Sequence, residues 1–137
     1  MQRLYLQAAD EWRYNKHNSL KAFIFYSNLY YQTPGGLTQQ QYNVDPSAAR
    51  PATATIPGAS AQKAAVYNKM FFAGITHMAT INNFIDHVIA VFGSTVDFKN
   101  PFITNYEVRK EDTYGARTYF ILSNNQSQSI FYICYKI

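Results

Sequence analysis

Charge is scarce in this sequence. Asp, Glu, Lys and Arg make up 15% of its 137 residues, against roughly 25% in an average soluble domain, so Tyr, Asn, Gln, Ser and Thr must cover much of the surface. Cysteine occurs once. Cys134 excludes an internal disulfide and any metal site built from several thiolates, and it reads as a small apolar residue on a strand. The net charge of +4, from 12 Lys and Arg against 8 Asp and Glu, is spread thinly. No basic run stands out as a patch that could track a phosphate backbone.

Long hydrophobic runs are missing too. The longest charge-free apolar stretch lies between Lys69 and Asp86, is shorter than the ~20 residues a helical membrane span needs, and contains His77, Asn82 and Asn83. The opening "MQRLYLQAADEWRY" meets Asp10 and Glu11 before any apolar stretch forms, so neither a signal peptide nor a membrane span is expected.

Catalytic signatures are absent as well. There is no G-x-S-x-G, and the glycines of "TPGGL" and "FGSTV" lack phosphate-loop spacing and the lysine that follows it. On one helix His77 and His87 would stand about 15 Å apart along the axis, too far to share a metal ion. No enzyme, cofactor or metal site is expected.

Aromatic residues are what the chain has in surplus. With 12 Tyr, 10 Phe and Trp12 they reach 17%, more than one modest core needs. Some of the rings should therefore face a partner.

The length fits a single domain, residues 1–137. From Gln2 to Tyr14, Leu4, Ala8 and Trp12 recur at the spacing of one helical face, and "LKAFIFYSNLYYQ" follows as a second helix capped by Asn18 or Ser19. "TPGG" stops it. Residues 34–60 hold four of the five prolines and three of the six glycines, which predicts a long extended loop or arm. From about Ser60 to Phe92, Val66, Met70, Gly74, Ile81, Phe84, Ile85, Val88 and Phe92 fall on one face of a long amphipathic helix ended by Gly93.

After Pro101 the period changes to two. "FITNYEVR", "ARTYFILS" and "SIFYICYKI" read as three strands joined by "KEDTYG" and "NNQSQ". The fold expected is thus α+β: N-terminal helices, a long loop, and one long amphipathic helix packed on a C-terminal three-stranded antiparallel sheet.

The function expected from this reading is non-enzymatic: a structural or assembly subunit of a larger protein complex, a virus or phage particle being one such setting. Its partners would be other protein subunits in a homo- or hetero-oligomer. Trp12, Tyr30, Tyr31, Tyr42, Phe72, Tyr119, Phe131 and Tyr135 are the candidate contact residues. The segment 128–137 either lies inside the sheet or pairs its edge with a neighbouring chain. Two alternatives stand beside this. Arg117, Tyr119 and Phe120 on one strand would suit a single-stranded nucleic-acid binder, the less favoured partner, and a closed pocket between helix 60–92 and the sheet would suit a small ligand.

Overall fold

The computed structural model describes residues 1–102, 105–123 and 128–136. It is built from strands: β1 (Gln2–Arg13), β2 (Asn18–Gln32), β3 (Ala65–Asn82), β4 (Ile85–Phe102), β5 (Asn105–Ser123) and β6 (Gln128–Lys136). They form one six-stranded sheet in chain order, β1-β2-β3-β4-β5-β6, an antiparallel meander. The only helix among the described residues is α1 (Gln39–Val44), six residues long. Thr38 caps it, its hydroxyl accepting from the Gln41 backbone while the Gln41 side chain accepts from the Thr38 backbone.

The α+β expectation is overturned. The predicted N-terminal helices are β1 and β2, and the predicted helix over 60–92 is the hairpin of β3 and β4. The physical reason is a degenerate spacing. Leu4, Ala8 and Trp12 are four apart, as are Val66, Met70 and Gly74, and Phe84, Val88 and Phe92; a step of four stays on one face of a strand as well as of a helix. Content in β-branched and aromatic residues then decides for strand.

The two-residue link Asn83-Phe84 turns the hairpin, with the Asn82 Oδ1 accepting from the Phe84 N–H at 2.8 Å. The C-terminal expectation changes too. "FITNYEVR" and "ARTYFILS" fall largely on one strand, β5, which runs straight through the predicted turn "KEDTYG". β6 lies at one edge of the sheet and β1 at the other. The β5–β6 pairing is antiparallel, setting Arg117 opposite Cys134 and Phe120 opposite Phe131.

The chain divides into two compact units. One comprises residues 1–4, 27–69 and 96–110; the other comprises 5–26, 70–95 and 111–137. In the first, residues 33–64 fold on themselves between β2 and β3. The Thr33 N–H donates to the Ala64 carbonyl at 2.9 Å, and Arg50 ties the interior, its N–H donating to Pro34 and its guanidinium to the carbonyls of Pro57, at 2.7 Å, and Pro51. Gly35 sits at φ 76° with a would-be Cβ only 3.0 Å from that of Arg50, so glycine is needed there. The buried residues of this unit are small: Ser27, Ala59, Ala64, Ala65 and Val66.

The second unit holds the tight links. The Thr80 N–H donates to the His17 carbonyl at 2.7 Å and the Ser123 N–H to the Phe84 carbonyl at 2.8 Å, which fixes the β1–β2 and β3–β4 turns to neighbouring strands. Its buried residues are Ser19, Val88 and Ala90. No large side chain is fully buried among the described residues of either unit.

Candidate functional site: the two faces of the strand unit

Successive strand residues point to opposite sides of a sheet, and contacts across the strands of the unit 5–26, 70–95 and 111–137 establish which residues share a side. Phe23 meets Phe72, Phe72 meets Phe92, and the Phe92 ring lies against Gly115. One face thus carries odd residues of β2 and β5 and even residues of β3 and β4. Tyr14 meets His77, His87 meets Thr118 and Phe120, and Tyr114 lies against Gly93. These define the opposite face.

The opposite face is apolar. Leu6 and Trp12 on β1, Ile24 on β2, Phe71, Ile75 and Ile81 on β3, Ile89 and Val91 on β4, and Phe120 and Leu122 on β5 all share its alternation, and all are exposed. Trp12 is 63% exposed and Val91 52%. A lone exposed apolar residue means little, but so many on one side of a sheet mark a contact surface. Two hydrogen-bonded pairs lie on this face. His77 Nε2 and the Tyr14 hydroxyl share a hydrogen bond at 2.6 Å, and His87 Nε2 and the Thr118 hydroxyl one at 2.7 Å, with the His87 ring stacked on Phe120 at 4.6 Å. Of the charged residues described in this unit's strands, Asp10 and Asp112 share the alternation.

The first face is polar. It carries Glu11, Arg13, Lys21, Asp86 and Arg117. The Arg13 guanidinium donates to Glu11 at 3.0 Å and lowers the Glu11 carboxyl below its ordinary value, the charges of Arg13 and Lys21 helping and desolvation opposing. Thr80 donates to Asp86 at 2.7 Å. Most of the charge thus collects on one face, together with the rings of Phe23, Phe72 and Phe92, and most of the exposed apolar side chains on the other.

Along each strand the unit spans a limited length. The stretches 5–13, 18–26, 70–82, 85–95, 111–123 and 128–136 are about 9 to 13 residues each. In the other unit β3, β4 and β5 carry charge on both alternations, with Lys69, Asp97, Lys99, Glu107, Arg109 and Lys110. Lys99 pairs with Asp97 at 3.7 Å and Arg109 with Glu107 at 3.4 Å, all well exposed.

The sequence-derived candidates are scattered over these surfaces. Trp12 lies on the apolar face, beside Tyr14. Phe72 is the middle ring of the row on the polar face. Tyr119 is also there, with the Arg117 guanidinium 5.9 Å from its ring centre, whereas Phe120 is on the other side. Tyr30 packs on Tyr67 at 4.8 Å, Tyr31 is half-buried near the end of β2, and Tyr42 is exposed on α1. Phe131 is exposed on the edge strand β6. Tyr135 belongs to β6, opposite Ala116, and its side chain lies outside the described residues.

Sequence reasoning missed the apolar face itself. Its signal was available, in the alternation "YNKMFFAGITHMATI" of β3 and "DHVIAVF" of β4, once read with a period of two. No three His, Cys, Asp or Glu side chains come together as metal ligands among the described residues, and no helix there is long and apolar enough to cross a membrane. No protein-family model, curated protein or solved structure matches the chain.

Proposed function

We propose that this chain is a structural, non-enzymatic element of a membrane-embedded β-barrel wall, its apolar face against lipid and its charged face toward an aqueous lumen. The observation that carries the reading is the segregation of side chains in the strand unit: exposed Leu, Ile, Val, Phe and Trp on one alternation and nearly all the charge on the other. Transmembrane barrels alternate apolar-out and polar-in in this way.

Three further features agree. The strands, 9 to 19 residues long, reach or exceed the roughly 9–11 with which a tilted strand crosses hydrocarbon. Alternate links of a meander fall at opposite ends, and here 14–17 and 83–84 at one end are short while the other end has one long link, 33–64, beside the two-residue step from β4 to β5; barrels carry their long loops at one end. Aromatic residues cluster at one end of the apolar face: Trp12, Tyr14 and Phe84 lie near the short turns, as the residues of an interfacial girdle do.

The assembly role keeps its place in this reading. A sheet in lipid cannot leave edges unpaired, and six strands fall short of the roughly eight of the smallest barrels. β1 and β6 therefore pair with further strands, whichever polypeptide supplies them.

Trp12 gives the test, as the only tryptophan. On reconstitution into phosphatidylcholine vesicles its emission should shift to the blue and be quenched by brominated acyl chains, most strongly for bromine near the headgroups. Trp12 emission that stays water-like in vesicles, with a defined oligomer forming in the absence of lipid, would instead place protein against this face, as in a subunit of a soluble particle.

A further inference from the structure

The polar face carries a feature that a plain barrel wall does not require. Phe23 on β2, Phe72 on β3 and Phe92 on β4 form a row of rings across three strands, with centroids 5.9 and 6.2 Å apart. Two glycines make room for it. A Cβ at Gly115 on β5 would collide with the Phe92 ring, and one at Gly74 would stand 3.3 Å from the Phe92 Cβ.

The row floors an open hollow of 330 Å³, within the size range of small-molecule sites. Lys21 borders it from β2 and Arg117 from β5, the Thr76 side chain adds a hydroxyl, and no carboxylate lines it among the described residues. The two cations are loosely held. Lys21 meets the Glu11 carboxylate only at 3.9 Å, both side chains being substantially exposed, and Arg117 lies 5.9 Å from the Tyr119 ring centre.

An aromatic floor bordered by two cations, its Phe72 and Phe92 rings within 24° of parallel and Phe23 tilted by 60° to Phe72, sets the chemistry of what fits. Neutral aromatic compounds would gain the stacking but not the charge, and aliphatic anions the charge but not the stacking. We infer that the hollow binds a planar aromatic anion, an aryl carboxylate or sulfonate of one or two rings, stacked on the phenylalanine row with its acid group between Lys21 and Arg117. That the site faces a lumen rests on the barrel reading; that it binds does not.

The probe is 2-naphthoate, with 2-naphthylmethanol as its neutral counterpart. Each is titrated calorimetrically into the purified chain in zwitterionic micelles, against a protein-free micelle blank. The acid should bind about tenfold tighter than the alcohol, the scale of one well-placed charge contact. K21Q/R117Q should abolish that preference, while K21R/R117K, which keeps both charges, should retain it. Both residues are exposed, so the variants leave the sheet intact, which circular dichroism checks. Equal affinity for acid and alcohol, an unchanged preference in K21Q/R117Q, or no binding of the acid at millimolar concentration would overturn the site. Lys21 and Arg117 take no part in the Trp12 vesicle experiment, so failure of the site and failure of the barrel reading are told apart.

Discussion

A methyl group on Gly115 would run into the Phe92 ring, a closer approach than at Gly74 or Gly93 of the same unit. Glycine weakens a strand through its chain entropy, yet here its bare Cα accepts the aromatic ring of the neighbouring strand. Gly115→Ala should therefore destabilise the fold by about 1–3 kcal/mol, the usual cost of overpacking. Chemical denaturation in micelles would measure it. In a Phe92→Ala background the same change should cost much less, because residues in contact are not additive; an undiminished cost would mean that β5 itself, and not the ring, rejects the methyl group.

The same residue scale shows what could be read from the sequence alone. The surplus of aromatic residues was legible. Where the rings lie on the sheet was not. Phe72 turned out to be the centre of a row on the polar face, and Tyr30 is matched by Tyr67 within its own unit.

Among the elements, the legible ones were those with strict alternation. The residues of "ARTYFILS" and "SIFYICYK" form strand as their period of two predicts, whereas residues 2–32 and 60–92 were misread because apolar positions in them recur every four. Branching at Cβ and the Asn82-Asn83 pair were the overlooked signals, the first favouring strand and the second supplying the turn. β5 was split in two because "KEDTYG" has turn composition, but Thr113 to Gly115 are held in the sheet, with Tyr114 and Gly115 packed against Gly93 and Phe92 of β4.

The excursion 33–64 makes its own prediction at this scale. It has almost no apolar core, and Arg50 ties it by donating to Pro57 and Pro51 while its backbone bonds Pro34 and Ala59. Arg50→Ala removes charged hydrogen bonds of about 1.5–3 kcal/mol each at most. Limited proteolysis with mass mapping should then show faster cleavage within residues 45–57 and unchanged protection of β3–β5. Faster cleavage everywhere would mean that the excursion is not a separately tied element.

For the whole molecule the deciding quantity is uncovered apolar surface. On the apolar side of the strand unit Trp12 is 63% exposed, Ile81 58%, Leu6 57% and Val91 52%. Such exposure asks for an environment. Water suits the face with Lys21, Arg13 and Arg117; it does not suit the face with Ile24, Ile75, Ile89 and Phe120. Lipid on one side and water on the other satisfies both, and it satisfies them without a second protein layer.

The most direct measurement is a nitroxide scan along β4, residues 87–94, in a Cys134→Ser background, with the chain reconstituted in vesicles. Collision rates with oxygen, which concentrates in lipid, and with a water-soluble nickel chelate are compared at each site. The proposed arrangement predicts a period of two, with oxygen dominant at 87, 89, 91 and 93 and the chelate dominant at 88, 90, 92 and 94. A scan without alternation, or one with oxygen dominant at the even positions, would contradict it.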